Sequence, residues 1–436
     1  MVERKRKLYL ISLDAVGSKD LTILKQLPNF KRFFKEAVVC DSVESVYPSL
    51  TYPAHTTMVT GKYPIHHGIV NNTRIQPKYE KPDWCSKRKW IKGTTLYDEL
   101  IQRGYTVAAL LWPVTGDSKI QYNLPEIHPN RFWENQVVTT LLQGSARYIL
   151  GLVPFLKVLD GKTKQPGLDN FVHLSAMHTI QKYNPDVCMV HYLDVDSNRH
   201  AHGMYGEKMD EAFARMDKRF GELLTLIEEK NKDEEAIIWV FGDHYQKDTH
   251  TIVYPNKILE QKGYLTTVKD RIKDYKVLAK HCDGACYLYL NEKEKSDKKH
   301  RERMEQEIIQ LFRNLSEDSA YGIARVIPKE EVIKLKADGE CICMLEAKEG
   351  YYFLDECEVL TRRVNDEKLH KMKATHGYLP TDPNYETFFA VKGSGIKKGA
   401  RVEHATLADE GVTLAHLMGV DLGTVDGRVM DEMCLE

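Results

Sequence analysis

No apolar run in this 436-residue chain approaches the length a membrane span needs. After the basic start MVERKRK, the run Leu8–Leu13 is interrupted at once by Asp14, and it is too short for a signal-peptide core as well. Neither sign of charge is in excess: 62 Lys and Arg face 63 Asp and Glu, a formal net charge of −1. That balance argues against a general nucleic-acid-binding surface. It leaves a nucleotide substrate open, because a metal site supplies positive charge locally. Regular cysteine spacing is missing too. The nine cysteines are an odd, scattered set, and neither Cys282/Cys286 nor Cys341/Cys343 has zinc-ribbon spacing. The expectation is reduced thiols in a cytoplasmic protein. There is no internal repeat and no low-complexity tract. At this length one large domain with an insertion, or two domains, is expected.

What is present alternates between strand-like and helix-like segments. Leu8–Leu13, 105–112, 186–193 and Ala236–Phe241 read as buried strands. Residues 93–103 and 170–183 read as helices, and Met209, Phe213, Met216, Phe220, Leu223 and Ile227 mark one apolar face of a long one. The alternation predicts an α/β fold: a mostly parallel central sheet with helices on both faces. Beyond His244 the chain becomes richer in charge, with EKEKSDKKHRERMEQE at 292–307 as the solvated face of a helix. A strand at 387–391 and a helix at Leu407–Leu417 return to the earlier pattern. Residues 1–254 and 371–436 are therefore expected to form the core, with 255–370 as a smaller inserted cap region.

The string PSLTYPAHTTMVTG at 48–61 sets one hydroxyl, Thr51, at the start of an apolar helix, with Pro53 in the first turn. Backbone N–H groups and the dipole at a helix start favour anions such as phosphate. In an open α/β sheet the ligand site lies at the carboxyl ends of the strands. Asp14, Asp196 and the Asp243-His244 pair follow three separate strands, and each alone would pass for a helix cap. Asp196 and His200 are four apart, so one helical turn aims both at one ion. His376, in Ala-Thr-His-Gly-Tyr, closes the set from beyond the insertion. With Thr51 these six residues suit two divalent metals, and a ligand set of His and Asp without Cys suits Zn²⁺, with Mn²⁺ using the same groups. The pairing with threonine is chemical: an alcohol is a weak nucleophile until a base or a metal activates it.

These strings resemble the nucleotide pyrophosphatase/phosphodiesterase family of the alkaline phosphatase superfamily. The likeness rests on LDAVG at 13–17, PSLTYPAHTTMVTGKYPIHHGIVNN at 48–72, DSNRHAHG at 196–203, GDH at 242–244 and THGY at 375–378. It implies an alkaline phosphatase-like fold, with Asp14, Thr51, Asp243 and His244 on one zinc and Asp196, His200 and His376 on the other. Asn72 matches the family asparagine that donates to a phosphoryl oxygen beside the Thr51 N–H. The family's Ser before and Gly after the Asp-His pair are here Gly242 and Tyr245, and Tyr245 is expected to reshape the pocket wall. His55, His66, His67 and His202 are expected to be structural or supporting, and Trp84, Trp90 and Trp112 to be packing residues.

The resulting expectation is metal-dependent hydrolysis of phosphodiester or pyrophosphate bonds in small nucleotide-type substrates, through a phospho-threonine on Thr51. The neutral Asn72 suits the single charge of a diester. A phosphonate hydrolase of the phosphonoacetate type is the alternative, with Lys81, Lys87, Arg88, Lys89 and Lys92 as candidate anion contacts. A metal-binding protein without turnover is a third reading, but no nucleophile or ligand is missing.

Overall fold

The computed structural model describes residues 5–131, 133–159, 164–232, 236–364 and 372–435. Its main sheet has eight strands in the order Ala405–Thr406, Val38–Glu44, Thr387–Gly393, Ala236–Phe241, Lys7–Leu13, Val187–Tyr192, Val107–Leu110 and Tyr122–Leu124. Only Thr387–Gly393 runs against its neighbours, so the sheet is mostly parallel as expected. Strand pleating explains the two covered faces. Within Lys7–Leu13, Leu8 and Leu10 join one core, while Tyr9, Ile11 and Leu13 join the other. Helices Thr51–Thr60, Leu96–Gln102 and Leu407–Leu417 cover the first face. Pro28–Phe34, Gly167–Tyr183 and Glu207–Lys230 cover the second.

Boundaries moved where local chemistry sets them. The helix expected from 93 starts at Leu96 because Gly93 has φ +88° and Thr95 caps it, accepting from the Asp98 N–H. The strand expected over 105–112 narrows to Val107–Leu110, ended by Leu111 at φ +50°.

A separate antiparallel sheet follows the order Val277–Cys282, Ala285–Leu290, Cys343–Ala347, Ile323–Pro328. The charged run enters helix Lys298–Ser316, which buries only Met304, Ile308 and Phe312, one face at helical spacing. We propose the division into core and inserted region on this separation of sheets. Its far boundary at 370/371 lies outside the described residues. The two parts share a seam, since Lys247–Val253 pairs with Gly350–Phe353 and Thr361–Arg363.

Candidate active site

The parallel strands end at one edge of the sheet, and the chemistry-bearing side chains gather there. Asp14 directly follows Lys7–Leu13, its N–H bonded to the Tyr192 carbonyl at 2.9 Å. Asp243 and His244 follow Ala236–Phe241 and are fully buried. Gly242 permits this placement, because a Cβ there would sit 1.8 Å from the Val16 carbonyl oxygen. Thr51 is the first residue of helix Thr51–Thr60, so its N–H has no acceptor inside the helix. Its hydroxyl does not cap the helix; Oγ1 lies 3.0 Å from His244 Nε2.

The carboxylates divide their oxygens in the same way. Asp243 Oδ1 accepts the N–H groups of Ala15 (3.1 Å) and His244 (2.9 Å), leaving Oδ2 3.4 Å from His244 Nε2. Asp14 gives Oδ2 to His191 at 3.1 Å, leaving Oδ1 3.4 Å from the same His244 nitrogen. Asp14 Oδ1, Asp243 Oδ2, His244 Nδ1 and His376 Nδ1 are all buried without a hydrogen-bond partner. Unpartnered buried groups are costly, so four in one place need a common explanation.

A second group abuts the first. Asp196 and His200 share a face of helix Asp194–His202, with Asp196 Oδ1 3.2 Å from His200 Nε2. The Ala374 carbonyl accepts from His200 Nδ1 at 2.8 Å and fixes the ring. His376 packs against both rings, its centroid 5.2 Å from that of His200 and 4.2 Å from that of His244. The loop holding it is gripped from two sides: the Gly377 N–H donates to the Ser49 carbonyl, and the Gly284 N–H donates to the His376 carbonyl. Gly377 is required there, at φ +88° with the Cys282 carbonyl 1.8 Å from any Cβ.

Electrostatics point the same way. Burial pushes Asp14 up to about 7, with Asp196 adding to the shift, and raises Asp243 well above the carboxylate range. Burial opposes charging His200, but Asp196 outweighs it and lifts the ring to about 9. Clustered buried carboxylates ionise together only when positive charge lies between them. The donors available are carboxylates, imidazoles and one hydroxyl, without thiolate, and they fit divalent cations.

Asn72 Oδ1 accepts the Tyr52 N–H at 2.9 Å, which leaves its NH₂ as a donor beside Thr51. Asn71 instead ties the turn to the inserted sheet, donating to the His281 carbonyl. Tyr245 does not shape an open pocket wall: it is buried against Gly17, with the Arg199 guanidinium 4.9 Å over its ring. His67 and His55 are buried, while His66 and His202 are exposed. Trp112 packs on His55, and Trp84 lies between Tyr52 and His128 with its ring tilted to both. Trp90 carries the Arg74 guanidinium over its ring. In the basic loop, Lys87 pairs with Asp117 and Arg88 with Asp98, so both are committed away from the site.

Sequence reasoning missed three contributors. His191 sits between Asp14 and the Leu111 carbonyl, with Glu126 at 3.7 Å. A histidine inside the buried strand Val-Cys-Met-Val-His-Tyr was a signal. Glu126 and Asp283, the latter 3.8 Å from His376 Nδ1, lie in loops and gave none. His55, His191 and Asp243 also cluster, yet they do not make a third cation site. His55 spends its nitrogens on the Thr51 carbonyl and the Ser12 hydroxyl, and His191 spends its own on Leu111 and Asp14.

A mostly parallel sheet, helix-covered on both faces, with this residue set at its carboxyl edge, is the alkaline phosphatase-like class of fold. Residues 8–379 match the family described as type I phosphodiesterase / nucleotide pyrophosphatase, and the chain belongs to that family. Bovine ectonucleotide pyrophosphatase/phosphodiesterase family member 3 is 24% identical over 265 residues, covering 59% of this chain and 26% of that protein. The Saccharomyces cerevisiae ectonucleotide pyrophosphatase/phosphodiesterase 1 is 24% identical over 234 residues, 49% of this chain and 29% of that one. The chain thus spans about a quarter of the length of the curated relatives it matches. Bis(5'-adenosyl)-triphosphatase enpp4 of Xenopus laevis is 32% identical over 111 residues, 24% of each chain. Among solved structures, human ectonucleotide pyrophosphatase / phosphodiesterase 5 superposes with TM-score 0.64 at 20% identity, covering 98% of this chain and all of that one. An inactive threonine-to-alanine form of the mouse protein, in complex with AMP, gives the same TM-score at 18% identity, with coverage of 98% and 100%. These likenesses establish the fold.

Proposed function

We propose that this chain hydrolyses phosphodiester or pyrophosphate bonds in small nucleotide-type substrates, through a phospho-threonine at Thr51. One observation carries the reading: Thr51 Oγ1 stands 3.0 Å from His244, beside partnerless carboxylate oxygens of Asp14 and Asp243. We assign Asp14, Thr51, Asp243 and His244 to one divalent cation and Asp196, His200 and His376 to a second, with Zn²⁺ favoured over Mn²⁺ by the ligand types. When bound, the cations supply the charge that activates the hydroxyl and stabilises the leaving oxygen.

The residues do the rest. Thr51 Oγ1 bonds to phosphorus as the bond to the leaving oxygen breaks. Water then attacks the same phosphorus and returns the threonine hydroxyl. The free Thr51 N–H and the Asn72 amide take a non-bridging oxygen, and the helix start favours its charge. A neutral donor suits a diester, whose phosphoryl group carries a single charge. The enzyme named for bis-adenosyl triphosphate among the relatives, and the neighbour solved with AMP, support nucleotides as the substrate class. Nine free cysteines support a reducing, cytoplasmic setting.

The test compares a nucleotide p-nitrophenyl diester with p-nitrophenyl phosphate, using chelator-stripped protein with and without Zn²⁺. Zinc-restored cleavage favouring the diester, lost by about a thousandfold or more in Thr51→Ala, is expected. A Thr51→Ala protein as active as the parent sinks the mechanism, and a strong preference for the monoester sinks the substrate class.

A further inference from the structure

Large apolar side chains are exposed unevenly on this protein. Seven of the thirteen exposed ones among the described residues fall between residues 133 and 156. Single exposed hydrophobics need no explanation, but a concentration of them does. Helix Gln136–Gln143 buries none of its residues, although Val137, Val138, Leu141 and Leu142 occupy one face at helical spacing. Leu142 is 77% exposed. The next helix, Ala146–Leu152, turns Tyr148 and Leu152 into the core and leaves Leu150 outside, 59% exposed. In the following turn Phe155 and Val158 pack on the core, while Val153 and Leu156 face out. The inward side chains account for how the segment is anchored. Val137, Val138, Leu142, Leu150, Val153 and Leu156 stay exposed, uncovered by any described residue.

Charge on this segment is one-sided. Between residues 135 and 168 the sequence carries four cations, Arg147, Lys157, Lys162 and Lys164, against a single acidic residue, Asp160. Arg147, Lys157 and Lys164 are exposed and form no ion pair with a described residue. Apolar side chains standing out from a helix, flanked by exposed cations, have the chemistry of an interfacial membrane element.

We propose that residues 136–157 form a docking surface for a lipid bilayer carrying anionic headgroups. The outward Val and Leu side chains enter the acyl boundary, and Arg147, Lys157 and Lys164 meet the headgroups. A second copy of the chain fits less well, because a two-fold contact would set this cation-bearing surface against an identical one. The surface adjoins the active edge of the sheet. The Gln143 carbonyl accepts from the Asp117 N–H at 2.7 Å, and the Ser145 N–H donates to the Asn123 carbonyl at 2.9 Å. Asp117 lies in the loop that leaves the carboxyl end of Val107–Leu110, the end that carries the candidate catalytic residues. Docking therefore sets the site beside the bilayer without occupying it.

The experiment is co-sedimentation of the full chain with vesicles of phosphatidylcholine alone, or of phosphatidylcholine with phosphatidylglycerol as a major component. At least about tenfold more protein on the anionic vesicles is expected, reduced by added salt. The double variant Val138→Asp with Leu142→Asp should lose that binding while cleaving a soluble diester as the parent does, since both positions are solvent-exposed. Three results overturn the proposal: no sedimentation with anionic vesicles, binding that survives the double substitution, or a concentration-dependent dimer in ultracentrifugation that the substitution abolishes without any vesicle binding.

Discussion

Asn72 shows how one side chain serves two ends. Its carbonyl oxygen holds the backbone N–H of Tyr52, the residue after Thr51, so its amide hydrogens are aimed by the same contact. Asn72→Ala is expected to lower kcat on a diester by about a hundred- to a thousandfold, as for other oxyanion donors. Its metal content should match the parent's by elemental analysis. Glu346 is a second residue with a measurable signature. It is buried, accepts from the Tyr47 hydroxyl at 2.7 Å and the Leu379 N–H at 2.9 Å, and is pushed by burial up to about 8. A carboxyl whose folded pKa is raised favours the folded state fully below its unfolded value near 4.5, and that advantage is lost as pH rises toward 8. Thermal stability should therefore fall across about pH 5 to 8. Glu346→Gln should flatten that slope, whatever it does to the absolute Tm. An unchanged slope would show that Glu346 does not titrate in this window.

At the scale of elements, the hairpin around Asp283 and the His376 loop interlock. Gly377→Ala would drive a Cβ into the Cys282 carbonyl at a φ of +88°, so one of the two backbones must shift. A loss of about 2 kcal/mol or more is expected. On the proposed assignment of two cations, the affinity for the one held by His376 should fall in chelator competition, while the Asp14–Asp243–His244 group keeps its own. Much of this scale was legible in the sequence. The helix at Leu407–Leu417 and the strand Ala236–Phe241 were read to the residue, because apolar period and flanking turn residues agree there. The i, i+4 pair Asp196 and His200 was equally legible, since helical geometry alone brings the two together. Glu126 and Asp283 were not, because each owes its place to contacts between segments far apart in the chain. Tyr245 misled for a related reason: sequence neighbours set its position, but Arg199 and Gly17 decide which way it faces.

For the whole molecule, a cation that binds only the folded chain should stabilise it by mass action. Added Zn²⁺ or Mn²⁺ at about a hundred times its dissociation constant is worth about 2.7 kcal/mol, seen as a rise in Tm that chelator reverses. Strand order was not legible from the sequence, although the fold class was. Hydrophobic pattern says that a segment is a buried strand without saying beside which other strand it lies. Thr387–Gly393 illustrates this, entering antiparallel between Val38–Glu44 and Ala236–Phe241.

That late strand bears on how the protein is made. Both neighbours of Val38–Glu44 in the sheet, Thr387–Gly393 and Ala405–Thr406, lie hundreds of residues further along the chain. During synthesis this early strand stays without its sheet partners until residues 387–406 have emerged. The residues around Thr51 wait with it, because His376 reaches them only as that same stretch arrives. A ribosome-bound chain therefore carries Thr51 long before it carries His376, and the candidate site is complete only once that later stretch has joined the sheet.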